Sequence, residues 1–267
     1  MRIGIMSTSL GGADLEKPFE QAAKAGFDGL EVVYAEPGEA KLLAKPRHAD
    51  ELKSLARQHK LAVSSLCMGC LCRQPSLLKK PAERAKAQDL IRKALGIAAE
   101  AEVPTILVPF FGGNSIELED DLARAAEALA ELAEEAENAR VVLGIESSIS
   151  FNRCRFLLDR VGNQDWVKMY YDTGNAVARK LDLPTGIRDL GPRTIAGIHF
   201  KDVRLAEGAP PEFNVAMGQG DVDFQAVVQA LRAVHYDGWV VLETPPLEAP
   251  LENAKANLSR TREILAV

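Results

Sequence analysis

Eight short aliphatic or β-branched runs, each followed by a stretch of helical composition, recur along the whole chain, and this alternation restricts the fold more than any other feature. The runs are Arg2–Met6, Gly29–Val33, Ala62–Leu66, Thr105–Val108, Val141–Glu146, Val167–Asp172, Ile195–Phe200 and Val240–Glu243. Between them, Ala/Leu/Glu/Lys content and 3.6-residue apolar spacing predict helices near 14–25, 48–59, 81–101, 117–137, 153–161, 176–182, 224–234 and 251–265. The clearest apolar face is that of Leu118, Leu122, Ala125, Leu129 and Leu132. Asp14, Asp50 and Asp223 stand where N-caps are expected. The strands are apolar throughout, as in sheets covered on both faces, and no G-x-G-x-x-G follows the first of them. A closed parallel sheet therefore fits better than an open dinucleotide-binding one. The expected fold is α/β, a single-domain (β/α)8 TIM barrel over residues 1–267.

In such a barrel the chemistry belongs at the carboxyl ends of the strands. The last four runs each end in an ionisable residue: Glu146 after Val142-Leu143-Gly144-Ile145, Asp172 after Met169-Tyr170-Tyr171, His199 after Ala196-Gly197-Ile198, and Glu243 after Val240-Val241-Leu242. Consecutive strands of a closed barrel are neighbours, so the four groups converge on one side of the mouth. Three carboxylates and an imidazole form a ligand set for one divalent metal ion, and without a cation their mutual repulsion is severe. The oxygen-rich set favours Mn²⁺, Mg²⁺ or Co²⁺, with Zn²⁺ as an alternative.

The segments Gly144-Ile145-Glu146-Ser147, Tyr171-Asp172-Thr173-Gly174-Asn175, Ile198-His199-Phe200-Lys201-Asp202, Gly218-Gln219-Gly220-Asp221-Val222-Asp223-Phe224 and Val241-Leu242-Glu243 resemble the xylose isomerase-like TIM-barrel superfamily. Within it they are most similar to the sugar phosphate isomerase/epimerase branch, which includes ketose 3-epimerases, hydroxypyruvate isomerases and inosose enzymes. The resemblance implies that Glu146, Asp172, His199 and Glu243 are metal ligands and that Glu146 and Glu243 also move protons. It implies an isomerase or epimerase of a small ketose, sugar phosphate or related hydroxy-ketone, working through a metal-stabilised enediolate. An inosose-type dehydratase on the same metal site and a non-catalytic carbohydrate-binding barrel are the alternatives. Asn175 stands where many family epimerases carry a histidine, and Arg204 only approximates the position of a common arginine. An amide at 175 can donate a hydrogen bond to a substrate oxygen but carries no charge.

Further residues have two readings each. Glu31 either reaches a substrate hydroxyl from the second strand or pairs with a charge at the rim. Lys201 and Arg204 follow the histidine and suit a phosphate or carboxylate, because barrel loops after strands seven and eight often bind phosphate; a Lys201–Asp202 salt bridge is the alternative. Phe110-Phe111-Gly112-Gly113-Asn114 either walls the pocket or packs as an ordinary loop. Gly218 and Gly220 are expected in a tight turn, Cys67, Cys70 and Cys72 as buried thiols, and Trp166 and Trp239 at the rim opposite the chemistry.

Composition removes other classes. A net charge of −6 without a Lys/Arg block gives a nucleic-acid backbone no footprint. The superfamily's apurinic endonucleases hold three zinc ions, and of the four histidines His48, His59, His199 and His235 only His199 ends a strand. No apolar run approaches the roughly 18 residues of a membrane span, no signal-peptide pattern opens the chain, and the thiols resemble no disulfide framework. A cytoplasmic enzyme with a small-molecule carbohydrate substrate, no nucleic acid or membrane partner, and the common homo-oligomeric state is the resulting expectation.

Overall fold

The computed structural model describes residues 1–11, 14–163, 165–246 and 248–266. Eight strands, β1 (Arg2–Met6), β2 (Gly29–Val33), β3 (Ala62–Cys67), β4 (Thr105–Pro109), β5 (Val142–Glu146), β6 (Val167–Asp172), β7 (Ile195–Phe200) and β8 (Trp239–Leu242), pair in parallel in chain order, and β8 closes the sheet onto β1. The fold is the expected (β/α)8 barrel. Nine α-helices surround it among the described residues: α1 (Glu16–Ala25), α2 (His48–His59), α3 (Pro81–Ala101), α4 (Glu119–Ala139), α5 (Phe151–Val161), α6 (Thr173–Ala178), α7 (Leu183–Leu190), α8 (Phe224–Ala233) and α9 (Pro250–Ala266).

The period-two alternation of the strands separates two apolar volumes. Outward-facing residues such as Ile5, Leu30, Ile106, Leu143 and Ile198 pack against helix residues such as Phe19, Leu52, Ile91, Leu129 and Leu231 in one continuous shell. Burying each such side chain stabilises the fold by about 1.5–3 kcal/mol. Inside the barrel lie smaller groups, Met6 with Trp239 and Val241, and Cys67 with Leu107 and Tyr170. Trp239 opens β8 at the amino end, where the Arg2 guanidinium stacks over its ring at 4.1 Å. Tryptophan thus fills the rim opposite the chemistry, as expected. Tyr170 fits because β5 and β7 carry glycine beside it: a methyl group on Gly197 would meet its ring at 2.5 Å and one on Gly144 at 3.0 Å.

Asp14 and Asp223 cap as expected, accepting the amides of Lys17 and Ala226 at 2.9 Å. Asp50 does not. It lies inside the first turn of α2, and the residue before that helix is Arg47 at φ 67°. The helix expected at 176–182 is replaced by two short ones. α6 starts directly after β6 because Asp172 accepts the Asn175 amide at 2.5 Å, and α7 starts at Asp182, which accepts the Thr185 amide at 3.1 Å. Pro184 and Gly186 hide α7 from propensity reasoning, yet proline is tolerated in a first turn and Gly186 makes room for the Phe151 ring.

The long connection after β7 is stapled at its base by a single carboxylate. Asp202 accepts the amides of Val203, Gly218, Gly220 and Val222 at 2.8–3.3 Å. Gly218, at φ +78°, makes the turn that aims its amide there. Asp202 is therefore occupied by backbone, and the Lys201–Asp202 salt bridge does not form. The loops after β3 and β4 are stitched likewise by buried Asn114, which accepts from Ser76 and Leu77 and donates to the Pro109 carbonyl, each at 2.9 Å. That is the ordinary-packing reading of the Phe110–Asn114 segment.

Candidate active site

The ends of β5, β6 and β7 and the residue after β8 bring Glu146, Asp172, His199 and Glu243 together. One donor atom from each lies within 4.8 Å of the others. Nδ1 of His199 is 3.0 Å from Glu243 Oε2, 3.4 Å from Glu146 Oε1 and 3.9 Å from Asp172 Oδ2. Glu146, Asp172 and His199 are buried, whereas the Glu243 side chain is 26% exposed and opens to the mouth. All four expected site residues thus meet, and this is the one such acid–imidazole grouping among the described residues.

Electrostatics mark the cluster as short of positive charge. Burial pushes the Asp172 carboxyl well above its ordinary range, helped by Glu243 and Glu146 and opposed by Lys201. Burial likewise raises Glu146, against the pull of His199. For Glu243 burial acts in the same direction, but the Lys201 ammonium and His199 outweigh it and hold the carboxyl down. Burial opposes charge on His199, and the surrounding carboxylates Glu31 and Glu146 more than reverse that, raising it well above an ordinary imidazole. Asp172 Oδ2 is buried with no hydrogen-bond partner among the described residues. An orphaned carboxylate oxygen inside a ring of acids is costly, and a divalent cation supplies both the missing partner and the missing charge. The residues fit the metal expected for them.

The remaining expected residues occupy different places. Lys201 reaches into the cluster, with Nζ 2.6 Å from Glu243 Oε1 and 3.8 Å from Asp172 Oδ2. Asn175 is half-buried one turn into α6, its backbone amide held by Asp172. Arg204 turns away to solvent, where it lies 3.7 Å from Glu212 and donates to the Gln219 carbonyl at 2.9 Å; it braces the connection after β7. Glu31, read either as a substrate contact or as a paired charge at the rim, is fully buried below the imidazole, 3.0 Å from His199 Nε2. Its Oε2 accepts from Ser65 at 2.6 Å and Tyr170 at 3.1 Å.

Two features were missed by sequence reasoning. Phe213, on the irregular connection, lies with its ring 5.0 Å from Lys201 Nζ and covers it. Tyr170 sits two residues before Asp172 on the same strand face, a spacing that could have marked it as inward-facing. The thiols behave as expected of packing groups: Cys67 and Cys70 are buried, Cys72 is partly buried, and all are free. Burial and the neighbouring carboxylates push Cys67 well up, and burial with Glu146 raises Cys72 to about 11.

An eight-stranded parallel barrel with a buried acid–imidazole cluster at the carboxyl ends of its strands defines a barrel enzyme whose mouth can hold a cation. The chain belongs to the xylose isomerase-like TIM-barrel family, whose model matches residues 19–264. The 2-epi-5-epi-valiolone 7-phosphate 2-epimerase of Actinoplanes sp. (strain ATCC 31044 / CBS 674.73 / SE50/110) is 28% identical over 211 residues, covering 79% of this chain and 75% of its own length. The L-ribulose-5-phosphate 3-epimerase UlaE of Salmonella paratyphi A is 26% identical over 219 residues, covering 79% and 74%. In three dimensions the crystal structure of the IOLI protein with a zinc atom superposes with a TM-score of 0.78 at 18% identity, over 100% of this chain and 98% of that one. The chain is thus an isomerase/epimerase-class enzyme. No helix among the described residues is long and apolar enough to cross a membrane.

Proposed function

We propose that the chain is a divalent-metal-dependent epimerase or isomerase of a small ketose, sugar phosphate or related hydroxy-ketone. The observation that carries the reading is the convergence of Glu146, Asp172, His199 and Glu243 within 4.8 Å. These four residues would hold the ion, which when bound draws electrons from a neighbouring carbonyl and eases loss of a proton from the adjacent carbon. β5 and β8 bound the four-strand arc, so Glu146 and Glu243 approach a bound substrate from opposite ends of the cluster. One takes a proton from one face of the sugar, and the other returns a proton to the opposite face. Lys201, anchored on Glu243, would meet a substrate oxygen or phosphate at the mouth, with Phe213 excluding water above it. Asn175 would donate its amide to a substrate hydroxyl. Two relatives are named as epimerases of phosphorylated compounds, L-ribulose 5-phosphate and 2-epi-5-epi-valiolone 7-phosphate, which favours proton return over loss of hydroxide and a phosphorylated substrate over a free one. The zinc in the IOLI structure supports a divalent ion, and the oxygen-rich donor set favours Mn²⁺.

The test is deuterium exchange. Chelator-stripped protein reloaded with Mn²⁺, Mg²⁺, Co²⁺ or Zn²⁺ and incubated in D₂O with ketoses, ketose phosphates, hydroxypyruvate and inososes should incorporate deuterium beside the carbonyl of at least one compound without changing its heavy-atom mass. Loss of water from the product would replace the epimerase reading with a dehydratase. Absence of metal-dependent exchange across the panel would favour a binding barrel.

A further inference from the structure

The parallel pairing of the barrel is interrupted at two places. Between β2 and β3 the register slips at Leu30/Glu31, leaving Ser64 as an extra residue, and between β6 and β7 it slips at Met169/Tyr170, leaving Ala196 extra. Bulges of this kind re-aim side chains beside active sites. Here both interruptions fall on members of one buried cluster. Glu31 and Tyr170 come from strands on opposite sides of the barrel, yet Tyr170 Oη donates to Glu31 Oε2 at 3.1 Å, and Ser65 adds a second hydroxyl at 2.6 Å. The Tyr170 ring crosses the interior only because Gly144 and Gly197 leave space for it, and it lies 4.7 Å, centroid to centroid, from the His199 ring.

Glu31 receives two O–H donors on Oε2, so its carboxylate acts as the acceptor, and its other oxygen lies 3.0 Å from His199 Nε2. Nδ1 is the nitrogen that faces Glu146, Asp172 and Glu243, and a carboxylate at Nε2 is matched by a proton on that nitrogen. We propose that Glu31, fixed by Ser65 and Tyr170, is a positioning residue that locks His199 with Nδ1 toward the metal site and strengthens that nitrogen as a ligand. A carboxylate behind a ligating imidazole fixes the ring's tautomer and orientation and raises its basicity. Glu31 stands at Nε2, on the other edge of the ring from Glu146, Asp172 and Glu243. The inference rests on the proposed metal site and adds the part of the barrel that prepares it.

Metal titration of stripped protein by calorimetry, using Zn²⁺ and Mn²⁺ alone, separates the two. Glu31→Gln keeps the shape and an acceptor for Nε2–H but removes the charge, and should weaken metal binding about 10- to 100-fold while the metal-free protein keeps its circular dichroism. Tyr170→Phe, one donor removed, should weaken binding less. In zinc-loaded wild type, ¹⁵N-resolved imidazole spectra should show the His199 proton on Nε2, a measurement that needs no variant. Wild-type metal affinity in a folded Glu31→Gln protein, or a His199 proton on Nδ1 in the zinc form, would overturn the inference and leave the metal site standing. A lowered melting temperature of metal-free Glu31→Gln with unchanged affinity would reduce Glu31 to a structural role and overturn it too. Wild type that binds neither ion overturns the metal site itself and this inference with it.

Discussion

The rim of the barrel divides into two unlike halves. β5 and β6 end in Glu146 and Asp172, β7 carries His199 one residue before its end, and β8 is followed by Glu243; β1 to β4 end in Met6, Val33, Cys67 and Pro109. Closure makes all eight ends geometrically alike, so this division is chosen by sequence and not imposed by the fold. The apolar half still contributes polar groups, one layer deeper: the Glu31 carboxyl of β2 and the Ser65 hydroxyl of β3 lie beneath His199, where solvent does not reach. One half presents reactive groups and the other braces them. The contrast explains how a cluster of three acids can be tolerated on one side of a small mouth: it is countered from the same side by Lys201, backed from the other by hydrogen bonds, and completed by a cation.

The largest test of that division is functional. Glu146→Gln or Glu243→Gln should lower the rate of metal-dependent deuterium exchange by about 10²- to 10⁴-fold, the usual worth of a positioned acid or base. Cys67→Ala at the end of β3 should leave the rate close to wild type, although its thiol lies near enough for Glu31, Glu146 and Glu243 to raise its pKa. A comparable loss in Cys67→Ala would erase the distinction between the halves.

Next in size is a pH effect of opposite sign on the two sides. Asp172 and Glu146 hold protons above the ordinary carboxylate range, and His199 holds its proton above the ordinary imidazole value of about 6.5. A cation must displace those protons, so metal affinity should rise with pH, about tenfold per unit for each proton displaced, and level off once His199 has lost its own. In metal-free protein the raised His199 contributes stability that is present below about pH 6.5 and lost as pH rises through its folded-state value. The increase in melting temperature on adding metal should therefore grow with pH. On the other half, the His48 hydrogen bond holds Glu51 below its ordinary value. That contribution is present above the ordinary glutamate range and lost as pH falls through the lowered value. Melting curves with and without metal across pH check both signs, and Glu51→Gln should reduce the acid-side loss, part of which Glu243 retains, without altering the alkaline side.

The reactive half was legible because an apolar run that stops at an ionisable residue is unusual and four such stops in succession define a place. The bracing half was not, for a geometric reason. Glu31 is visible as a charge within Gly29–Val33, but whether it faces substrate or core depends on the register slip at Leu30/Glu31, and local pattern does not encode cross-strand register. Lys201 and Asp202 are adjacent opposite charges that look like partners, yet the strand end sends Lys201 to Glu243 and the glycine turn delivers backbone amides to Asp202. Phe213 sits in a connection without periodicity, so nothing local announces that it will cover Lys201.

The smallest effect probes how tightly the two halves interlock. The Tyr170 ring links them, and Gly197 on β7 is the neighbour against which it has least room: a methyl group there would meet ring carbons at 2.5 and 2.6 Å. Gly4 on β1 is also an inward strand glycine, but its methyl would meet Val241 Cγ2 at 3.3 Å, the Gly29 carbonyl oxygen at 3.4 Å and Ser64 Oγ at 3.5 Å, distances that small shifts can absorb. Overpacking of a filled interior costs about 1–3 kcal/mol. Gly197→Ala should fall in that range by urea denaturation, and Gly4→Ala should cost less. Because the displaced ring is the one that steadies Glu31, Gly197→Ala should also weaken metal binding, whereas Gly4→Ala should not. Equal costs with unchanged metal affinity would mean that the ring yields freely and that the bracing half does not depend on its position.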